Sequence, residues 1–379
     1  MLNHPIAVLG GGNIGHTIAA DLSLGGYEVN FYEHPQFEDA FKTTLEKGIV
    51  EIEDQRTGRH ELARIHKVTT DIKAAISGVQ LIFVAIPSFG QDLFFNTMIP
   101  YLKDGQVVFL MTGNFGSLRL RKLLGEKATD RKITIYETNT MPYAARLSGP
   151  ASVRVILGFG PWLGTQPSFL ESFLKDTPKK GRLISALPAK DTDVALKEFQ
   201  KLYPLFSPAK NVLVGAANSI NFIIHPIPAV LNAGRIEYAN LYSKEDFYLH
   251  REGHTPSVQR VEEVVVDEIA ALVRVLGGEM TTPRTSGKNY FNHAQTHPSP
   301  AGPKTVKHRY IAEDIAYGFV PMSQLGEKLG VAMPLMNALI DIASVMNQED
   351  YRKTGRTLET MGLDRLNKEQ IIKLVEKGA

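Results

Sequence analysis

Residues 6–15, Ile6-Ala7-Val8-Leu9-Gly10-Gly11-Gly12-Asn13-Ile14-Gly15, indicate the architecture of the N-terminal half of this protein. Its first four residues are apolar and predict a short strand that is buried on both faces. The glycines that follow fit the pattern G-x-G-x-x-G, and apolar residues at helical spacing run from Ile14 to Leu24. A glycine turn between a buried strand and a helix gathers unpaired backbone N–H groups at the positive end of the helix dipole, which predicts a site for phosphate groups.

Each glycine of the pattern has its own predicted task. Gly10 permits a tight turn, Gly12 lets a pyrophosphate approach the backbone, and Gly15 lets the helix pack closely on the strand. Asn13 and Ile14 supply the first backbone N–H groups of the helix. The pattern alone also fits an ordinary glycine-rich turn, but with a strand before it and a helix and second strand after it, the turn predicts dinucleotide binding.

The second strand, Glu28 to Tyr32, is followed by an acidic residue, Glu33. A carboxylate at this place accepts hydrogen bonds from the ribose hydroxyls of NAD and repels the 2′-phosphate of NADP. The neighbouring His34 weakens that repulsion, so the sequence predicts NAD(H) and leaves NADP open. The alternative interpretation is that Glu33 is a solvated acid at a strand end.

Strands alternate with helices through the rest of the first half, which indicates a parallel, doubly wound sheet. Buried strands are predicted at Leu81–Ile86 and Val107–Met111. The loops after these two strands are predicted to line the cofactor site through four residues: Pro87, Ser88, Gly113 and Asn114. Val50–Asp54 and Arg59–Ala63 predict a hairpin. Three further runs are predicted to extend the main sheet: Ile133–Tyr136, Val153–Leu157 and Arg182–Ser185.

The chain changes character after Ser207-Pro208. The segments Val261–Leu276, Ile311–Leu329 and Leu335–Met346 show helical spacing without strand alternation. The predicted fold is therefore an α/β N-terminal domain with a Rossmann-type doubly wound parallel sheet, residues 1–209, followed by an all-α C-terminal domain, residues 210–379.

The composition excludes several classes of function. Forty-two basic against 40 acidic residues give a net charge of +2, so neither nucleic acid nor an anionic membrane is expected as the main partner. The absence of cysteine excludes disulfides, iron–sulfur clusters and a cysteine nucleophile. We recognise no secretory leader and no apolar run approaching ~20 residues, so a cytoplasmic protein without a membrane span is expected. His293 and His297 have a metal-compatible spacing but no third ligand beside them, so no metal site is predicted.

His225 is the histidine that the sequence singles out. It lies in the apolar run Asn221-Phe222-Ile223-Ile224-His225-Pro226-Ile227-Pro228, where Pro226 interrupts any helix and can present the ring to a cavity. A side chain with a pKa of ~6.5 suits the proton transfer that accompanies a hydride transfer. From composition alone, a satisfied core histidine is the commoner explanation.

Several stretches of the chain resemble the opine dehydrogenase family, which includes octopine, nopaline and related N-(1-carboxyalkyl)amino acid dehydrogenases. They are the glycine pattern at 10–15, Glu137–Arg146, Asn221–Arg235, Arg309–Ile315, and the closing Gly355–Leu358 with Gly362-Leu363. The resemblance covers nearly the whole chain, and its specific part is the His-Pro segment together with Arg-Tyr-x-x-Glu-Asp. It implies an oxidoreductase that acts on CH–NH groups and has a helical domain like the C-terminal domain of 6-phosphogluconate dehydrogenase.

The resemblance also implies a reversible reaction and roles for particular residues. A 2-oxo acid condenses with the amino group of an amino acid to an imine, and NADH delivers a hydride to the imine carbon. His225 is implied as the general acid/base, Asp314 as its orienting partner, and Arg309 as the group that faces a substrate carboxylate. Four residues at or after a strand end are expected on the substrate side: Thr138, Asn139, Thr140 and Arg146, the last as an anchor for a second carboxylate. The alternative interpretation is a loop that is stabilised by its own hydrogen bonds.

Three points stay open in the sequence. On one regular helix Arg309 and Asp314, five residues apart, would point roughly 140° away from each other. The alternative functions are a simpler 2-oxo acid or hydroxy acid reductase of the ketopantoate reductase or 6-phosphogluconate dehydrogenase type, with Lys210 or Lys288 as its catalytic lysine, and a non-catalytic NAD(H)-binding sensor. The apolar helical faces favour a homodimer, although the sequence leaves the oligomeric state undecided.

Overall fold

The structure is a computed structural model of the 379-residue chain, and it describes residues 1–127, 131–164, 181–243, 245–296 and 301–378. The chain divides into two compact units. The first contains the described residues before 165 together with Arg182–Pro208, and the second contains the described residues from Ala209 onward. The division between Pro208 and Ala209 lies one residue from the boundary proposed above.

The first unit contains all the strands among the described residues. They are β1 (Ile6–Leu9), β2 (Val29–Tyr32), β3 (Ile49–Asp54), β4 (Arg59–Arg64), β5 (Lys67–Thr69), β6 (Leu81–Val84), β7 (Val107–Leu110), β8 (Thr134–Thr138), β9 (Tyr143–Gly149), β10 (Ser152–Gly158), β11 (Leu183–Leu187) and β12 (Ser207–Pro208). Its helices are Asn13–Leu24, Glu38–Lys47, Ile72–Ile76, Gln91–Met98, Gly116–Glu126 and Leu196–Leu202.

The main sheet has eight strands in the order β12-β11-β8-β7-β6-β1-β2-β5. All neighbouring pairs are parallel except β8 and β11. In β1, Ile6 and Val8 belong to one apolar core, whereas Ala7 and Leu9 belong to another. This alternation confirms the prediction of a strand buried on both faces, because each face of the sheet is covered by its own core.

A second sheet of four strands, in the order β4-β3-β10-β9, corrects part of the sequence prediction. The hairpin of β3 and β4 is confirmed, but Val153–Leu157 does not extend the main sheet. It lies in β10, which pairs parallel with β3 and antiparallel with β9, a strand that was not predicted. The physical reason is burial: β10 has buried residues alternating with more exposed ones, whereas the central strands of the main sheet are buried on both faces.

Helices are the regular secondary structure of the second unit among its described residues, as predicted. Its helices are Val212–Ala217, Asn221–Ile224, Pro226–Leu231, Ala233–Leu241, Pro256–Val275, Ser286–Thr296, Arg309–Asp314, Val320–Leu329, Pro334–Asn347, Tyr351–Thr354 and Lys368–Lys377. The helix predicted over Ile311–Leu329 is interrupted by a π-helical turn at Ile315–Phe319. A second π-helical turn spans Leu249–Gly253.

One segment of the second unit qualifies as a membrane span by length and composition, contrary to the expectation above. It is Val212–Leu231, with a mean hydropathy of 1.3 in its most apolar window. Of that window, 89% is buried inside the protein. Such burial is what the core segment of a globular domain shows, and the segment is broken into three short helices rather than forming one continuous span.

Candidate active site

The glycine turn after β1 has the conformation that its sequence predicts. Gly10 has a φ of +108°, and a Cβ atom there would collide with the side chain of Ile86. A Cβ atom on Gly15 would collide with the carbonyl oxygen of Gly10. No atom lies within 4 Å of the place where a Cβ atom on Gly12 would stand, so the backbone there is open to a ligand. The turn therefore fits a dinucleotide pyrophosphate at the N-terminus of the helix Asn13–Leu24.

Glu33 holds this turn from the neighbouring strand. Its Oε2 accepts a hydrogen bond of 2.7 Å from the backbone N–H of Gly11, and its Oε1 accepts one of 2.6 Å from the N–H of His34. The side chain is buried, and burial raises the pKa of Glu33, while the two backbone donors oppose that rise. Each carboxylate oxygen has a further lone pair, so the predicted bond to a ribose hydroxyl is compatible with these contacts.

The loops after β6 and β7 contact each other beside the glycine turn. The amide of Asn114 donates a hydrogen bond of 3.0 Å to the hydroxyl of Ser88, and Pro87 precedes the short helical turn that contains Ser88. Gly113 packs against Glu137, where a Cβ atom would not fit. β1 and β6 are adjacent, and the chain continues from β1 to β2 on one side and from β6 to β7 on the other. The carboxyl ends of β1 and β6 therefore form a topological switch point, which is where open α/β sheets bind ligands.

Glu137 supports the same edge, a role that the sequence analysis missed. Its carboxylate accepts hydrogen bonds from the backbone N–H groups of Phe115, at 3.1 Å, and Ser117, at 2.9 Å. These donors belong to the start of the helix Gly116–Glu126, so a buried anion caps a helix N-terminus. The sequence feature that could have indicated this capping role is an acidic residue at a strand end, followed by Thr-Asn-Thr.

The predicted substrate-side residues of the first unit differ in their surroundings. Thr138 is fully buried at the end of β8. The side-chain oxygen of Asn139 accepts a hydrogen bond of 2.8 Å from the N–H of Leu183, so Asn139 continues the β8–β11 pairing. Thr140 is half-buried, and Arg146 lies exposed in β9, with its guanidinium donating to the carbonyl of Ala145. Their contact with a substrate stays a prediction.

His225 occupies a break between two helices of the second unit. The helix Asn221–Ile224 ends at His225, and Pro226 begins the next, because a proline is accepted at a first helical position but not inside a helix. Nδ1 of His225 lies 3.0 Å from Oδ2 of Asp314, and both side chains are buried. The carboxylate therefore fixes the ring orientation and favours the tautomer that carries its proton on Nδ1.

Tyr310 and Glu313 complete the surroundings of this pair. The ring of Tyr310 is stacked on the imidazole of His225, with centroids 3.9 Å apart and planes inclined by 14°. Burial raises the pKa of Asp314 well above its usual range, the adjacent Glu313 carboxylate raises it further, and Arg309 opposes the rise. The His225–Asp314 pair is thus disposed to keep a proton as a unit.

The structure settles how Arg309 and Asp314 are arranged on their common helix. Arg309 stands at the first position of the helix Arg309–Asp314 and its Nε lies 3.1 Å from Oε2 of Glu313, four residues on. Its side chain is half exposed, whereas Asp314 turns to His225. The guanidinium is close enough to act electrostatically on Asp314 while its other face is accessible.

A second histidine–carboxylate pair, absent from the sequence analysis, lies near His225. Nδ1 of His254 is 2.6 Å from Oε1 of Glu262, and its Nε2 is 3.3 Å from Nδ1 of His250. The rings of His250 and His225 have centroids 5.9 Å apart. The four-residue spacing of His250 and His254 was the only sequence signal.

No group of three or more metal-ligating side chains occurs among the described residues. His293 lies in the helix Ser286–Thr296. His297 lies outside the described residues.

Comparison with known families decides the relationship of the second unit. Residues 208–347 match the model of the NAD/NADP octopine/nopaline dehydrogenase alpha-helical domain. The second unit is an octopine/nopaline dehydrogenase-type helical domain. Residues 5–152 of the chain match the N-terminal domain of NAD-dependent glycerol-3-phosphate dehydrogenase, so the first unit is an NAD-binding domain. The predicted family and the two-domain fold class are both confirmed.

Full-length relatives and solved structures agree with this assignment. The chain is 29% identical to an opine dehydrogenase of Arthrobacter sp. (strain 1C), over 98% of each chain. It is 24% identical to vitopine synthase of Allorhizobium ampelinum, over 97% of this chain and 98% of that one. A structure of octopine dehydrogenase in complex with NADH and agmatine shares the fold, with a TM-score of 0.72, 19% identity and 98% coverage of each chain.

Proposed function

We propose that this protein catalyses the NADH-dependent reductive condensation of a 2-oxo acid with the amino group of an amino acid, and the reverse reaction. One observation carries the proposal: the buried contact of 3.0 Å between His225 Nδ1 and Asp314 Oδ2, in the unit that matches the octopine/nopaline dehydrogenase helical domain. A buried imidazole oriented by a carboxylate exchanges protons with a substrate and is typically worth ~10²–10⁴ in rate. A purely structural histidine has no need of a buried acid, whose burial is costly.

The cofactor contributes the hydride, and the chain provides binding, orientation and proton transfer. The backbone around Gly12 binds the pyrophosphate, and Glu33 favours NADH over NADPH by accepting from the ribose hydroxyls. His225 gives a proton to the departing oxygen when the imine forms, and it takes a proton from the attacking water in the reverse reaction. Asp314 keeps the ring in place and balances its positive charge.

The substrates each bring a carboxylate, and two arginines suit them. Arg309 is half exposed beside the His225–Asp314 pair and is the proposed partner of one carboxylate. Arg146 is exposed, without an ion pair among the described residues, and is the proposed anchor of the second, with Thr138, Asn139 and Thr140 as further substrate contacts. Pyruvate and L-arginine, which are named with structures of octopine dehydrogenase, are suitable first substrates to test.

The decisive experiment compares NADH oxidation with a 2-oxo acid alone, with the oxo acid plus a panel of amino acids, and with neither. We expect oxidation only with both substrates. Equal rates with and without the amino acid would favour the simpler 2-oxo acid reductase. A ketopantoate reductase of Ralstonia eutropha is a structural neighbour that represents this alternative, with a TM-score of 0.57. In the present protein, however, the candidate catalytic residue Lys210 is half exposed and lies 3.0 Å from Glu376, with which it forms an ion pair. NADH binding without any oxidation would favour the sensor.

The proposed enzyme is cytoplasmic and works as a homodimer. The chain has no cysteine, as suits a reducing compartment. Exposed apolar side chains cluster near the end of the helix Ala233–Leu241, at Tyr238, Leu241 and Tyr242, and this face would be covered in a dimer. Light scattering on the purified protein tests this assembly, and the mass of a single 41.9 kDa chain would overturn it.

A further inference from the structure

Two buried histidine–carboxylate pairs flank one imidazole in the second unit. Glu262 and His254 form one pair, and Asp314 and His225 form the other. His250 stands between them, with its ring centroid 5.6 Å from that of His254 and 5.9 Å from that of His225. Unlike the four groups that flank it, His250 is only partly buried.

The Glu262–His254 pair has a charge that must be balanced inside the protein. Glu262 is 1% exposed and His254 is fully buried. Oε1 of Glu262 contacts His254, whereas Oε2 is buried without a hydrogen-bond partner among the described residues. A buried carboxylate so poorly hydrogen-bonded is stabilised when a positive charge forms nearby. Through the 3.3 Å contact between His254 and His250, it stabilises the charge that His250 acquires when that ring takes up a proton.

We propose that His250 is a second proton-carrying group of the active site, and that the buried Glu262–His254 pair positions it. This inference rests on the proposed function. Because the rings of His250 and His225 are 5.9 Å apart, one amino group or hydroxyl between their edges can contact both. His250 would touch the substrate, whereas Glu262 and His254 would act through His250.

The condensation uses two proton transfers, which two imidazoles can share. His250 takes a proton from the substrate ammonium, and the freed amine nitrogen forms a bond to the carbonyl carbon. A proton moves from that nitrogen to the carbonyl oxygen, which gives a neutral carbinolamine. His225 then gives its proton to the carbinolamine hydroxyl, the C–O bond breaks, water leaves and the C=N bond of the iminium forms. His250 thus gains one proton and His225 loses one. The transfer of a single proton from His250 to His225 restores the starting charges of both rings.

The test uses the pH dependence of the loss of activity in His250→Asn. The quantity measured is the ratio of wild-type to variant kcat/KM for the amino acid, from pH 7 to pH 10. We expect a ratio of about 10² at pH 7. The ratio should fall towards one as the pH rises, because the substrate ammonium then loses its proton to the solvent and no longer needs His250 as a base. The groups in ring contact with His250 are His225, His254, Tyr290 and Tyr310. Its charged chain neighbours are Arg251 and Glu252, and Glu252 is paired with Arg235.

Glu262→Gln keeps the shape of the side chain and removes its charge. We expect the same pattern with a smaller ratio, about tenfold at pH 7, and an unchanged Kd for NADH. His66→Asn, an exposed histidine in the first unit, is the matched control and should keep wild-type kinetics at every pH. A ratio for His250→Asn that is close to one at pH 7, or that stays constant up to pH 10, would overturn the inference. Failure of the proposed function is read separately, from wild-type NADH oxidation that does not require the amino acid.

Discussion

The ring of Tyr310 lies almost parallel to the imidazole of His225, at a centroid distance of 3.9 Å. Tyr310 lies in the helix Arg309–Asp314, whereas His225 lies in the break between two other helices. The four-residue spacing of Tyr310 and Asp314 brings the stacking ring and the carboxylate to the same imidazole. One face of His225 is thus covered by an aromatic ring while its Nδ1 is occupied by an acid. The other ring nitrogen, Nε2, is the atom through which the proposed function has His225 exchange a proton with the substrate.

Asp314→Asn tests the orienting role of the carboxylate. The amide keeps the size of the side chain but removes the charge that stabilises an imidazolium, so we expect kcat to fall by about 10²–10⁴. The Kd of NADH, measured by fluorescence titration, should change less than threefold. A variant with near wild-type kcat would show that Asp314 is a structural acid.

Tyr310→Phe and Tyr310→Leu separate the ring from the hydroxyl. Phenylalanine keeps the stacking surface, so its kcat should remain within about threefold of wild type. Leucine removes the aromatic face that attracts the imidazolium, an interaction worth about 1–2 kcal/mol when desolvated, so kcat should fall about tenfold. If the phenylalanine variant lost as much activity as the leucine variant, the hydroxyl would be the group that matters.

Gly12→Ala and Gly10→Ala form a matched pair at the glycine turn. The space around Gly12 accepts a Cβ atom in the protein itself, so the alanine variant should keep its Tm and raise the Kd of NADH at least tenfold. Gly10 combines a φ of +108° with contact to Ile86, so its alanine variant should lower the Tm clearly, because strain of this kind costs at least about 1–3 kcal/mol. Unchanged NADH affinity in Gly12→Ala would place the pyrophosphate elsewhere.

The raised pKa of Asp21 predicts that the stability of the first unit depends on pH. It accepts hydrogen bonds from the hydroxyl of Tyr143, at 2.7 Å, and from the N–H groups of Trp162 and Leu163, yet burial raises its pKa from 3.8 to about 6. Because the folded protein holds this proton more tightly than the unfolded chain, the stabilisation is complete below pH 3.8 and is lost as the pH rises to about 6. The loss amounts to about 3 kcal/mol.

Asp21→Asn removes that titration and keeps acceptors for the two N–H groups. The free energy of unfolding in urea should depend less steeply on pH between 4 and 6 in the variant than in wild type. The difference between the two proteins should grow in favour of the variant as the pH rises. Parallel pH curves for the two proteins would contradict the raised pKa.

Features that depend on neighbours along the chain were predictable from the amino-acid sequence. The strand Ile6–Leu9, the glycine turn and its helix were predictable, because burial on both faces and the conformation of Gly10 follow from local residue types. The helical character of the second unit and the special place of His225 before a proline were also local. The family resemblance supplied the pairing of His225 with Asp314.

Contacts between residues that are distant along the chain became visible in the folded protein alone. The assignment of β10 to a second sheet, the capping of a helix by Glu137, the stacking of Tyr310 and the row from Glu262 through His254 to His250 depend on contacts between separate elements. Spacing along a chain fixes which face of one helix a side chain occupies. It does not fix which face of another helix lies opposite, since burial of apolar surface throughout the unit selects that arrangement.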